Sequence, residues 1–333
     1  MANPFAFRPA QVTFWVIIYF LLLVPLIYLH DSVPDAPSLS PAPGINLTQA
    51  WSDLMVLTND FHPFNSHEND AVRDWLLDRL KDIQRQNDAG ISMVIFDDNV
   101  SNVTVVDSSN QGSAPVLIGS RSKAQNIGTY YEGNNIVVYI PGKDDPQGLW
   151  KEHGDQSRET SNSTANAGVL ISAHFDTSPT SVGAADDGVG LISILQMVSY
   201  FALPKNQPRN GIVALLNNNK EGGLWGARAF QKHPLKSFCR TFLNLDAVGI
   251  GGKAVLLRAT SLGAANAYKS VPSPFGTVLS SEAYDLGLVE GHTDYNIFAT
   301  ELGMQGLDLG FYGSQSRYHT KEDDVQHISV DSI

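Results

Sequence analysis

Between residues 168 and 249 the chain alternates short apolar runs with helical ones, and this alternation limits the fold more than any other feature. "GVLISAHFD" (168–176), "GIVALLNNN" (211–219) and "FLNLDAVG" (242–249) read as buried strands; "GVGLISILQMVSYFA" (188–202) and "GLWGARAFQKH" (223–233) read as helices between them. Strands joined through helices lie parallel, because a parallel pair needs a crossover of a dozen or more residues. The expected class is α/β, a mostly parallel central sheet with helices on both faces. Upstream, "SMVIFD" (92–97), "VTVVD" (103–107) and "NNIVVYIPG" (134–142) are β-like. Residues 49–86 are helical in pattern, with Val72, Trp75, Leu76, Leu80 and Ile83 near a 3.6-residue period.

Ahead of this body stands "VTFWVIIYFLLLVPLIYL", residues 12–29, without a charge. As a helix it would span about 27 Å, close to the roughly 30 Å of bilayer hydrocarbon. Trp15 and Tyr28 lie near its ends, as interfacial anchors do. No small-x-small cleavage site follows it directly, so it reads as an uncleaved anchor rather than a signal peptide. Arg8 before it and Asp31 and Asp35 after it orient residues 1–11 as a cytosolic tail. Residues 30–45, rich in Pro, Ser and Ala, read as an extended linker holding the body off the membrane. Residues 46–333 form the lumenal domain, with a polar insertion at 143–167. Four N-x-S/T triplets, at Asn46, Asn99, Asn102 and Asn162, agree with glycosylation of a lumenal body. The net charge of −12 excludes a nucleic-acid partner, which needs a basic face. Cys239 is the only cysteine, so no internal disulfide can form.

Chemistry-bearing side chains fall at the ends of the predicted strands. His174 and Asp176 close one strand, Asp186 and Asp187 precede a helix, and Glu221 follows the next strand. Asp246 ends another strand, and His319 lies in the late loop "SRYHTKEDD". Singly, each has an ordinary reading: a satisfied structural histidine, a helix N-cap, a surface charge. Together they are at successive carboxyl ends of strands, where open α/β sheets place their ligand crevice. Two histidines with carboxylates make a ligand set for zinc, and a shared carboxylate can bridge two ions.

"HFD", "GAADDGVG", "KEGGLWGA", "NLDAVG" and "YHT" appear in the order and approximate spacing of the di-zinc aminopeptidase family. That family includes secreted bacterial leucine aminopeptidases, glutamate carboxypeptidase and glutaminyl cyclase. The chain most resembles the N-terminal peptidase part of the fungal vacuolar membrane proteases, through its anchor, "HPFNSHENDAVRDWL" and "YHTKEDD". The resemblance covers nearly the whole chain. It implies a zinc-exopeptidase fold with two zinc ions, peptides with a free N-terminus as substrates, and a vacuolar membrane location with the catalytic domain lumenal. It implies His174 on one ion and His319 on the other, with Asp186 bridging and Glu221 and Asp246 completing one ion each. Asp176 would hold the His174 ring in its tautomer, and Tyr318 would donate to the developing oxyanion.

One position departs from that family. Its pattern is Glu-Glu-x-Gly-Leu-x-Gly, the first Glu a general base and the second a ligand; this chain reads Lys220-Glu221-Gly222-Gly223-Leu224-Trp225-Gly226. A protonated lysine cannot accept a proton from water, although two nearby dications could lower its pKa. General-base help is worth roughly 10²–10⁴-fold, so activity reduced by about that factor is expected. The rivals are an inactive metal- or peptide-binding scaffold and a glutaminyl-cyclase-like aminoacyl transferase. No G-x-S-x-G elbow appears and Cys239 has no motif around it, which argues against a serine or cysteine hydrolase. "SEAYDLGLVEGHTDYNIF" (281–298) is expected to line the site, where His292 and Asp294 either touch substrate or cap a loop. The chain stops at "HISVDSI", where the resembling proteases continue into a last helix and many membrane spans, so a truncated or divergent member is expected. Nothing in the sequence speaks to oligomeric state.

Overall fold

The computed structural model describes residues 8–35, 38–87, 90–98, 101–107, 127–145, 168–276, 278–286 and 292–332. Most of the predicted insertion, and the sequons at Asn99 and Asn162, lie outside them. Among the described residues one helix, α1 (Pro9–Asp31), is long and apolar enough to cross a membrane, and none of it is buried. Two helices follow. Asn46 caps α2 (Leu47–Leu57) by accepting the Gln49 amide, and Ser66 caps α3 (His67–Gln86) by accepting that of Asn69. Glu68 and Asp70 in the first turn of α3 complement its dipole.

Seven strands form one sheet: β1 (Val94–Asp98), β4 (Asn135–Ile140), β5 (Gly168–His174), β6 (Ile212–Asn217), β7 (Cys239–Leu245), β8 (Val255–Ala259) and β9 (Gln305–Gly310), in the order β1-β4-β6-β5-β7-β9-β8. β6, β5, β7 and β9 are parallel in sequence across the middle, as the alternation predicts. The edges are antiparallel: β1 on β4, β4 on β6, and β8 on β9. The sheet is therefore parallel through its middle and antiparallel at its edges. β2 (Val103–Asp107) leaves the sheet and pairs with β3 (Ile127–Tyr131) in a separate two-stranded ladder.

Both faces of the sheet are covered, which the two-residue period of a strand makes possible. Ile136, Val138 and Ile140 of β4 and Ala214 and Leu216 of β6 face Leu54 of α2, Leu76 and Leu80 of α3, and Ile192 and Leu195 of α4 (Val189–Phe201). Val137 and Tyr139 of β4 and Val213 and Leu215 of β6 face Phe230 of α5 (Trp225–Phe230) and Phe298. Each fully buried side chain of this size contributes about 1.5–3 kcal/mol against leaving it in water.

One expectation changes. The helix expected over 223–233 is only α5, since Gly223 and Leu224 adopt positive φ and shape the turn that carries Lys220 and Glu221. Contacts join the end of α1 and the linker to the body. Lys253 Nζ donates to the Leu29 carbonyl at 2.7 Å, the Tyr312 hydroxyl meets His30 Nε2 at 2.9 Å, and the Leu47 amide returns to the Leu39 carbonyl. The remaining helices, α6 (Leu262–Tyr268) and α7 (Val278–Asp285), lie near β8 and β9.

Candidate metal centre

The carboxyl ends of β5, β6 and β7 open side by side, and the chain leaving each delivers one or more polar groups. β5 ends in His174, the turn after β6 carries Lys220 and Glu221, and Asp246 directly follows β7. Asp186 comes from a short π-helical turn, 184–188, that leads into α4. His319, with φ +59°, lies in the loop after β9. The five residues expected as ligands converge. His174 Nε2 is 3.0 Å from Asp186 Oδ1 and 3.7 Å from Asp246 Oδ1. His319 Nε2 is 3.0 Å from Asp186 Oδ2 and 3.2 Å from Glu221 Oε2. Donor atoms of His174, Asp186 and Glu221 lie within 4.8 Å of one another, compact enough to hold a cation.

Lys220 stands inside this cluster rather than beside it. Its Nζ is 3.0 Å from Asp246 Oδ1, 3.1 Å from Glu221 Oε1 and 3.3 Å from Asp186 Oδ1. Burial by itself would lower its pKa, but the carboxylates of Asp186, Asp246 and Glu221 outweigh burial and hold the amine well above the ordinary lysine value. It stands as the positive partner of these three carboxylates. Its charge acts back on the carboxylates: burial would raise Asp186, but Lys220, His174 and His319 hold it well below the usual range, and Lys220 likewise lowers Glu221 against burial. Burial and Lys220 would lower His174, yet hydrogen bonds from Asp176, Asp186 and Asp246 raise it well above the imidazole value. Burial also opposes the charge on His319, which Asp186 and Glu221 push up to about 9.

Asp176 meets the His174 ring and also holds the turn after β6. The nearest acceptor to His174 Nδ1 is the main-chain carbonyl of Asp176 at 2.9 Å, with the carboxylate at 3.5 Å. A carbonyl only accepts, so Nδ1 donates to it, and Nε2 is the ring nitrogen that faces the cluster. The Asp176 carboxylate accepts the amides of Lys220 at 2.9 Å and Glu221 at 3.0 Å, and so fixes the turn after β6. Asp187 is not an N-cap; its Oδ2 accepts the His174 amide at 3.1 Å, and burial holds its carboxyl well above the usual range. Tyr318 stacks on the His319 ring with centroids 3.9 Å apart, and burial followed by the Asp186 charge raises its phenol.

Sequence reasoning missed Asp323, though it quoted the loop containing it. Asp323 accepts the amides of Ala185 at 2.7 Å and Asp186 at 3.2 Å and the Ser181 hydroxyl, so it holds the turn that presents Asp186. Burial pushes its carboxyl up to about 6. An acidic residue a few positions after His319 was the only available signal. Asp294 is buried against Asn217, whose Nδ2 donates to its Oδ2 at 2.7 Å, while His292 is exposed. Asn46 is exposed and Asn102 partly so; Cys239 is buried, and burial raises its thiol.

The donor chemistry suits zinc, and one detail supports a cation: Asp246 Oδ2 is buried without a hydrogen-bond partner, while Oδ1 faces the Lys220 ammonium. The model of peptidase family M28 matches residues 157–333, more than half of the chain. The chain belongs to peptidase family M28. A vacuolar membrane protease of Metarhizium robertsii is 43% identical over 367 aligned positions, and one of Pyricularia oryzae is 46% identical over 337. Each alignment covers 100% of this chain but only 34% and 32% of the relative, so the chain spans about a third of these M28 proteins. Among solved structures, the aminopeptidase of Aneurinibacillus sp. strain AM-1 aligns with a TM-score of 0.56 and 13% identity, over 86% of this chain and 90% of that one. A glutaminyl cyclase of Porphyromonas gingivalis aligns with a TM-score of 0.51 and 16% identity, over 87% and 95%. At such identity these two structures speak for the fold alone.

Proposed function

We propose that the chain is the peptidase part of a membrane-anchored, zinc-dependent hydrolase that removes the N-terminal residue of peptides in the vacuolar lumen, at a rate limited by Lys220. The observation that carries this reading is the convergence of His174, Asp186, Glu221, Asp246 and His319 from separate loops onto one point, with Asp246 Oδ2 buried and unpartnered. His174, Asp186 and Asp246 frame one cation position; Asp186, Glu221 and His319 frame another. Bound zinc supplies a Lewis acid for the scissile carbonyl and acidifies a water. The chain's own residues position that chemistry. Asp176 clamps the turn bearing Glu221, Asp323 clamps the turn bearing Asp186, and Tyr318 offers a hydroxyl as the oxyanion donor.

Lys220 occupies the position of the family's base and, as an ammonium, cannot take the proton of the attacking water. Restoring a carboxylate by Lys220→Glu should raise turnover of aminoacyl-p-nitroanilides by about 10²–10⁴-fold. If neither form turns over such substrates while both hold zinc, the hydrolase reading is wrong. A non-catalytic, peptide-binding role then replaces it, a reading favoured by the triple engagement of the ammonium with Asp186, Glu221 and Asp246.

A further inference from the structure

The Lys220 ammonium and His174 compete for the same oxygens. His174 Nε2 faces Asp186 Oδ1 at 3.0 Å and Asp246 Oδ1 at 3.7 Å; Lys220 Nζ faces the same two at 3.3 and 3.0 Å. A zinc ion in this position would bind nitrogen and oxygen at about 2.0–2.2 Å, and so would sit against a positive group that already holds both carboxylates. The other position is free of it. The ammonium touches Glu221 through Oε1 and Asp186 through Oδ1, leaving Glu221 Oε2 and Asp186 Oδ2 turned toward His319 Nε2 at 3.2 and 3.0 Å. Those three donors make a seat of the catalytic kind, three protein ligands with room for water. Glu221 and His319 are the more exposed members, so an ion can reach it from solvent.

We infer that this chain binds a single divalent ion, at Asp186, Glu221 and His319, and that Lys220 takes the place of the second ion between Asp186 and Asp246. This rests on reading the cluster as a zinc site. Charge supports it. Asp186, Glu221 and Asp246 carry three negative charges, which one divalent ion and one ammonium neutralise. Two divalent ions with the ammonium would leave a surplus of two positive charges in a buried site, where unpaired charge is heavily penalised. With a glutamate at position 220 the count becomes four negative charges, the number two divalent ions balance. The substitution of the base and the loss of the second ion are then one change.

The test is zinc stoichiometry. The full chain in detergent micelles is stripped with a chelator, dialysed against zinc, and its metal counted by elemental analysis. One zinc per chain is expected for the wild type, two for Lys220→Met and Lys220→Glu, and none for His319→Ala. Melting temperature gives a second readout: chelator should lower wild type by less than it lowers Lys220→Met, which loses two ions and has no ammonium to pair its carboxylates, and zinc should restore both. Two zincs in the wild type, or one zinc in Lys220→Met that folds normally, would overturn the inference and leave the hydrolase reading in place. No zinc in the wild type would overturn both. Should Lys220→Met fail to fold, the wild-type and His319→Ala counts still decide between one seat and two.

Discussion

Gly310, at the end of β9, packs so closely on Asp246 that a Cβ there would lie 1.7 Å from the Asp246 carbonyl oxygen. The atoms a Cβ would meet are all main chain, where two strand ends run side by side, so none of them can rotate away. Gly310→Ala should therefore push Asp246 out of the cluster. A loss of about 3 kcal/mol in denaturant unfolding is expected, together with weaker zinc retention. An unchanged unfolding midpoint would mean the two strand ends are less tightly joined than this contact requires.

Asp176 accepts the amides of both Lys220 and Glu221. Asp176→Asn turns one acceptor into a donor facing an N–H, leaving a buried group unpaired at a cost of about 1–3 kcal/mol. Because the same turn aims Glu221, zinc affinity should fall by about 10–100-fold, as when outer partners of metal ligands are removed. Competition with a chromophoric chelator measures this. An affinity within twofold of wild type would show that the turn keeps its shape without Asp176.

Asp294 gives a pH dependence. Burial, helped by the nearby Asp246 charge, pushes its carboxyl up to about 7, against an unfolded value of about 3.9. A raised folded value means that the native state binds the extra proton between about pH 4 and 7. Stability is highest below that window, falls as pH rises through it, and is level above. Asp294→Asn should remove the penalty, raising chelated-protein stability by at most about 4 kcal/mol near pH 8 and by nothing near pH 4. Parallel unfolding curves for the two proteins, with no change in their separation over that range, would contradict the assignment.

Arg258 of β8 lies between the rings of Tyr284 and Tyr295, at 3.9 and 4.3 Å, and pairs with fully buried Asp308 at 2.7 Å. Thr293 donates to the same Asp308 oxygen, so the loop before residue 294 is tied to β9 through this pair. Breaking a buried pair from one side strands the other charge, and Arg258→Met should cost about 3–5 kcal/mol. Asp308→Asn together with Arg258→Met should recover part of that loss. A double variant no more stable than the single one would place the cost in lost aromatic stacking.

The sequence by itself determined the parallel middle of the sheet, because apolar strands separated by helix-length crossovers have few other ways to pair. It also determined the identity of the clustered donors, since His174, Glu221 and Asp246 each follow a strand that could be recognised. The antiparallel edges were not legible: β1, β4 and β8 are short apolar runs whose partners lie far away in the chain, and local pattern carries no pairing direction. Nor was the placement of Lys220. From its position in "NKEGG" it reads as a missing base; in the folded chain its charge lies among Asp186, Glu221 and Asp246, where it acts as a cation. Asp176 and Asp323 were decided in the same way. Both act through backbone amides of distant turns, and a carboxylate's choice of amide depends on how loops meet at the sheet's edge, which only packing of the whole body sets.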